Sequence, residues 1–349
     1  MEVKEAEYLF STDYKGDHIM QLKDGKILVY YLYGNFIINV YNEKNFHKLY
    51  EIDINLIIQQ FEKENNGCSK YKNNNTDKNI IINLDNGLIL IGHEHYLIEL
   101  NLYDKVYDYK IVTYLNDNII DMTEITNKKM IVITYKNMIL VEKENEKYII
   151  KNNHLIKDNW KVTSLFRQNF IPRQFCQNYS IYSLPNNRLL LNSSCTFIRR
   201  KGCCLHSPKL CSNSKIIFVD LNNFEEIKLD EIFGKENVFI LEKIFIIQDN
   251  YDIKIYNINS LEYIKSVRIQ NSFYIYKCDE RHLIIIQENE KNNFFVVYKN
   301  INNDLIEYCK FIMNFYNKER FYKKILILLK NKKIIIGNDK IYLLTLNFD

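Results

Sequence analysis

Two histidines one residue apart, His93 and His95 in "GHEHY" (92–96), share a face if the segment is a strand, as metal ligands do. No other part of the chain repeats ligands to match them, so the segment reads as a hairpin tip carrying solvated histidines. A second cluster gathers Cys195, Cys203, Cys204, His206 and Cys211. Zinc takes Cys and His ligands in a tetrahedron, commonly with paired ligands about two to four residues apart. Cys203 and His206 fit that spacing, and Cys195 and Cys211 complete a set, but the cluster has no CxxC pair. The competing reading is a loop of free thiols, with Arg199, Arg200 and Lys201 favouring the thiolate. The expectation is therefore no bound metal and no cofactor. A third group lies in 159–175, where Trp160, Phe166 and Phe170 interleave with Lys161, Arg167 and Arg173. Large aromatics and arginine dominate binding hot spots, so these residues, with Arg199 and Arg200, are the candidate partner contacts. For catalysis the chain offers no phosphate-binding glycine loop, no HExxH, no GxSxG and no dinucleotide fingerprint. It reads as a non-enzyme.

The elements that would position these residues begin with composition. The 349 residues are 47% hydrophobic and 26% charged, ordinary globular usage. Aromatics reach 14%, with 27 Tyr and 20 Phe, residues that suit half-buried strands. Only 9 Gly and 3 Pro are present, so turns must be spelled with Asn, Asp and Lys. A net charge of +4 without a basic stripe argues against nucleic acid. The N-terminus "MEVKEAEYLFSTDYKGD" has neither the cationic nor the apolar region of a signal peptide, and no run is long enough to cross a membrane. Eight scattered Cys do not form a disulfide framework. The expected setting is the cytoplasm, with the nucleus as the other compartment.

One plan recurs along the chain: apolar strand, polar turn, apolar strand, short gap, alternating strand, polar turn, and a further extended run. It appears at 19–54, 81–115, 122–151, 181–195 resuming at 215–232, 238–269, 273–312, and 325–349. Runs of strand length separated by Asp24-Gly25, Asn86-Gly87 and similar pairs predict two-residue hairpin turns with positive φ. Third strands end in "INVYN", "IELNL", "IFVDL", "IKIYN" and "FVVYK", with apolar residues on one face. Four short strands in about 40 residues are the signature of a propeller blade. The last copy stops after three strands, and "VKEAEYLF" (3–10) is a strand without a copy of its own. The fold class predicted is all-β: a single β-propeller domain over 1–349, most simply seven four-stranded blades, its ring closed by the N-terminal strand.

In this pattern the chain resembles the WD40-like β-propellers in degenerate form. The place of the family's Trp-Asp pair holds Tyr41-Asn42, Val219-Asp220 and Tyr256-Asn257, and the family's Gly-His dipeptide is absent. The resemblance implies a propeller fold and a protein-binding role, and carries no site residues with it. Three insertions interrupt the repeats, at about 56–78, 156–178 and 196–214, the first opening with a short helix at "LIIQQFEKENN". Long loops on a rigid scaffold are where binding residues concentrate. Within the third, "FIRRKG" (197–202) is similar to the Phe-Arg-Arg-Gly motif of phosphoinositide-binding propellers, with Ile198 and Lys201 interrupting it. The function expected is a non-catalytic protein–protein interaction scaffold. The alternatives are a propeller binding anionic membranes through Arg199, Arg200 and Lys201, and an enzyme with a site assembled on the propeller axis.

Overall fold

The computed structural model of the chain describes residues 7–8, 18–31, 34–43, 47–65, 79–103, 106–126, 128–145, 147–156, 175–197, 214–227, 233–234, 238–249, 252–269, 273–277, 280–288, 293–313, 325–328, 333–337 and 341–345. The first element is the short strand β1 (Glu7–Tyr8). Strands β2 (His18–Gln21), β3 (Ile27–Tyr30), β4 (Ile37–Tyr41) and β5 (Lys48–Asp53) form one sheet in that order. Helix α1 (Ile54–Glu64) follows, and then β6 (Ile80–Asn83), β7 (Ile89–His93), β8 (Tyr96–Leu102) and β9 (Tyr107–Tyr114) make the second sheet. The third comprises β10 (Ile119–Thr126), β11 (Lys129–Thr134), β12 (Asn137–Glu144) and β13 (Lys147–Leu155).

In the fourth, β14 (Phe175–Leu184), β15 (Arg188–Phe197), β16 (Ser214–Asp220) and β17 (Glu225–Ile227) are joined by β18 (Phe233–Gly234), which also pairs with β16. The fifth holds β19 (Val238–Ile240), β20 (Ile244–Asp249), β21 (Asp252–Asn257) and β22 (Tyr263–Arg268). The sixth holds β23 (Phe273–Lys277), β24 (His282–Glu288), β25 (Asn293–Ile301) and β26 (Asp304–Met313). Strands β27 (Ile325–Leu328), β28 (Lys333–Gly337) and β29 (Ile341–Thr345) then take β1 as their fourth member, with Glu7 opposite Leu343 and Tyr8 opposite Tyr342. The N-terminal strand thus completes the sheet that the last copy leaves short. Six sheets have four strands and the fourth has five, a departure from seven equal blades.

The elements fall into two compact units, Met1–Ile111 with Ile269–Asp349, and Val112–Arg268. In the first, Leu28, Phe36, Ile38, Ile52, Ile91 and Ile98 form a core to which α1 contributes Ile54, Ile57 and Ile58. Each such aliphatic side chain removed from water contributes about 1.5–3 kcal/mol. The helix starts two residues earlier than "LIIQQFEKENN" predicts because Asp53 caps it, its carboxylate accepting the Leu56 N–H at 3.1 Å. In the second unit, Leu189, Leu191, Ile217 and Val219 pack with Ile131 and Ile133 on one side of their sheet. On the other side Leu190, Phe218 and Phe245 pack with Tyr256.

The hairpin turns differ from the two-residue geometry predicted. The Gly25 N–H bonds to the Leu22 carbonyl at 3.0 Å, and the Leu22 N–H to that of Lys26 at 2.8 Å, with Gly25 at φ +95°. Gly87 repeats this between Leu84 and Leu88 at φ +86°. The reason is local: the Asp24 and Asn86 side chains each accept the backbone N–H two residues on, at 3.0 Å. That Asx turn leaves the glycine alone in the left-handed region. A two-residue turn with both φ positive appears instead at Asn302-Asn303, between the paired Ile301 and Asp304.

In the Trp-Asp place, Asp220 and Asn257 have a definite job. Asp220 accepts the Asn222 N–H at 2.8 Å, and Asn257 those of Asn259 and Ser260 at 2.8 and 3.1 Å. Each turn ends on a buried apolar residue at positive φ, Phe224 (+58°) and Leu261 (+64°). Burial of those two side chains offsets the strain of that conformation.

Candidate functional site

The two segments that carry the candidate contact residues attach to the fourth sheet. Ten consecutive pairs, from Leu184↔Arg188 to Phe175↔Phe197, join β14 to β15. No other first-to-second-strand hairpin reaches that length among the described residues. The sequence places the strands only at 181–195, and its apolar alternation already fades at Asn192, Ser193 and Ser194. A backbone ladder needs no apolar side chains, and it continues through them. The insertions predicted at 156–178 and 196–214 are shortened accordingly at 175 and 197.

The base of this hairpin is firmly held. Leu189, Leu190 and Leu191 are fully buried. Asp121 on β10 accepts the Ile181 N–H at 2.9 Å, and the Arg188 guanidinium donates to the Asn259 carbonyl at 2.6 Å. Beside Asp121, burial and then the carboxylate's charge push the Tyr182 phenol well above its usual range, so it stays protonated. At the far end the described pairing of β16 with β15 runs from Arg188↔Asp220 to Ser194↔Ser214, and 175–177 pair with 195–197 beyond it. On the other edge of β16, Lys215 pairs with Phe233 and Ser214 with Gly234.

Both segments singled out by sequence meet here. The chain enters from 174 at Phe175, departs at Phe197 toward 198, and returns at Ser214, so 157–174 and 198–213 join one end of one sheet. Cys195 lies at this far end, opposite Gln177. Trp160, Phe166, Arg167, Phe170, Arg173, Arg199, Arg200, Lys201, Cys203, His206 and Cys211 lie outside the described residues. The register adds a cysteine that sequence reasoning passed over: Cys176 sits opposite Thr196, one step from Cys195. Nothing in the spacing of 176 and 195 shows that proximity until the ladder is known.

The histidine pair needs correction. His93 and His95 do lie at the β7–β8 hairpin, but His93 is 2% exposed and Glu94, at φ +48°, is 6% exposed. The His93 ring meets Phe36 at 5.3 Å, and burial lowers its pKa to about 4. It is a neutral core residue and not a solvated one. Beside it, the Tyr96 hydroxyl donates to Glu62 of α1 at 2.7 Å. Among the described residues no three His, Cys, Asp or Glu side chains are grouped to hold a metal ion.

No protein-family model matches the sequence, and no curated protein does. Solved structures do match in shape. The chain is similar to hydrazine synthase of Kuenenia stuttgartiensis, at 9% identity and a TM-score of 0.53, over 97% of this chain and 98% of that one. It is also similar to the extracellular domain of BT4673 from B. thetaiotaomicron, at 12% identity and a TM-score of 0.54. That match covers 95% of this chain and 40% of the other. The fold-level likeness is to β-propeller-type structures. With the four-strand sheets and the N-terminal strand completing the last of them, it identifies the fold as an all-β propeller.

Proposed function

We propose that this propeller is a non-catalytic protein–protein interaction scaffold, working in the cytoplasm or nucleus. The observation that supports it is the pairing of Phe175 with Phe197, which sets the attachment points of 157–174 and 198–213 side by side at the end of the β14–β15 hairpin. The first segment carries Trp160, Phe166, Arg167, Phe170 and Arg173, and the second carries Arg199 and Arg200. Aromatic anchors bury area at low entropic cost, and arginine forks fix register. A leucine-rich sheet base holds the hairpin against the reaction force of a bound partner.

The experiment is affinity capture with intact protein and with a Trp160→Ala/Arg167→Ala/Arg173→Ala variant, both checked for equal thermal unfolding. The scaffold reading expects at least one stoichiometric protein partner for the intact chain, with capture reduced roughly tenfold or more in the variant, as hot-spot losses of about 1.4 kcal/mol or more would give. Capture unchanged by the substitutions would refute this binding site. Binding of phosphatidylserine vesicles that disappears in Arg199→Ala/Arg200→Ala would replace the reading with the membrane one.

A further inference from the structure

Among the described residues the outer strands β5, β9, β13, β17, β22 and β26 pair along one edge only, and proteins normally blunt such edges with short strands, lysines or bulges. Bulges are present here. One extra residue stands on β5 (Leu49), β13 (Lys151), β22 (Ile264) and β26 (Tyr308). In β5, β22 and β26 it faces the same aliphatic–Tyr pair of the third strand: Val40-Tyr41, Ile255-Tyr256 and Val297-Tyr298. In β13 the extra residue faces Leu140-Val141 instead. That strand runs nine residues, none of them buried, and its other edge pairs with no strand among the described residues. Adjacent Ile149 and Ile150 are 39% and 44% exposed on opposite faces, and Leu155 at its end is 76% exposed, while His154 between them stacks on Phe224 at 3.8 Å.

We propose that β13 receives an extended segment of a partner protein by strand addition, and that the segment alternates apolar and acidic residues. The charges select this occupant. β13 carries Lys147 and Lys151 and no acidic residue. Lys151 pairs with Glu144 of its own sheet, while Lys147 stands exposed at the strand's start. A second copy of this chain would bring four ammonium groups along one seam, which like-charge repulsion disfavours. A strand with carboxylates beside the lysines and apolar side chains beside Ile149 and Ile150 satisfies both the charge and the exposed area. Its backbone would supply the ladder bonds that the open edge lacks. The inference deepens the scaffold reading and rests on it, since β13 leads directly into 157–174.

The test selects a displayed library of random peptides on intact protein, with excess Lys147→Gln/Lys151→Gln variant as competitor. Both substitutions are at the surface and should leave thermal unfolding unchanged. Enriched peptides should alternate apolar and acidic residues, bind the intact protein at least tenfold more tightly than the variant, and slow amide exchange across 147–155. Peptides without carboxylates, equal binding to the variant, protection elsewhere or no enrichment would each overturn the inference. So would concentration-dependent dimerisation lost in the variant, which would assign the edge to a second copy. Capture of a protein that depends on Trp160 and Arg167 but leaves exchange in β13 unchanged would overturn the inference while the scaffold reading stands.

Discussion

Replacing Phe245 with alanine is expected to lower stability by about 3–5 kcal/mol, the usual cost of emptying an aromatic site in a close-packed core. Phe245 has no exposed surface. Its ring stacks on Tyr256 at 4.8 Å with 5° between planes, and meets Phe218 at 5.5 Å. It belongs to β20, Tyr256 to the neighbouring β21, and Phe218 to β16 of the preceding sheet. The ring therefore fills the space between two sheets, and no main-chain shift within one sheet can close the cavity. Denaturant unfolding followed by circular dichroism measures the loss. Phe245→Leu, which keeps most of the volume, should lose less than half as much. Equal losses for both would show that ring stacking outweighs volume.

Acid should act through His93. Above pH 6.5 the imidazole is neutral in the folded and the unfolded chain, and contributes nothing to pH dependence. Below it the unfolded chain takes up a proton that the buried native ring, at about 4, refuses. Stability therefore falls as pH drops from 6.5, by about 1.4 kcal/mol per unit, reaching a deficit of roughly 3 kcal/mol near pH 4. His93→Gln removes the titrating group. The difference in unfolding free energy between the natural chain and this variant should shift by that amount between pH 7 and pH 4. Parallel curves for the two proteins over that range would mean that His93 is not shielded from water.

His93 also shows where the sequence misleads. "HEH" between two apolar runs reads as polar and therefore exposed. Its cover, Phe36, stands just before β4 of the preceding sheet, 57 positions earlier, and no local pattern announces it. Blade organisation, by contrast, was legible. Asp24-Gly25 and Asn86-Gly87 mark turns by side-chain chemistry, and one-sided burial forces apolar alternation on third strands such as 37–41 and 252–257. The orphan strand at 3–10 was legible for a similar reason, since a three-strand sheet lacks its fourth member. The bulges at Leu49, Lys151 and Ile264 were not. One extra residue in an outer strand changes register without changing composition. The reach of β14–β15 was hidden too, because hydrogen bonds carry the ladder on to 175–180 and 196–197 after hydrophobicity gives out at Asn192–Ser194.

At the candidate site, sequence located the aromatic and basic residues but not their relation to one another. That relation comes from β14–β15 register, which brings the ends of two segments together although the chain places them some 25 residues apart, from 174 to 198.

In this propeller the first strand completes the last sheet, through Glu7↔Leu343 and Tyr8↔Tyr342. The most direct measurement is thermal unfolding of the chain lacking residues 1–10, with and without a synthetic peptide of residues 1–12 added in excess. The account predicts a fall in Tm of about 10 °C or more, as a loss of several kcal/mol gives in a chain of this size, and recovery of most of it when the peptide is added. An unchanged Tm after the deletion would contradict it.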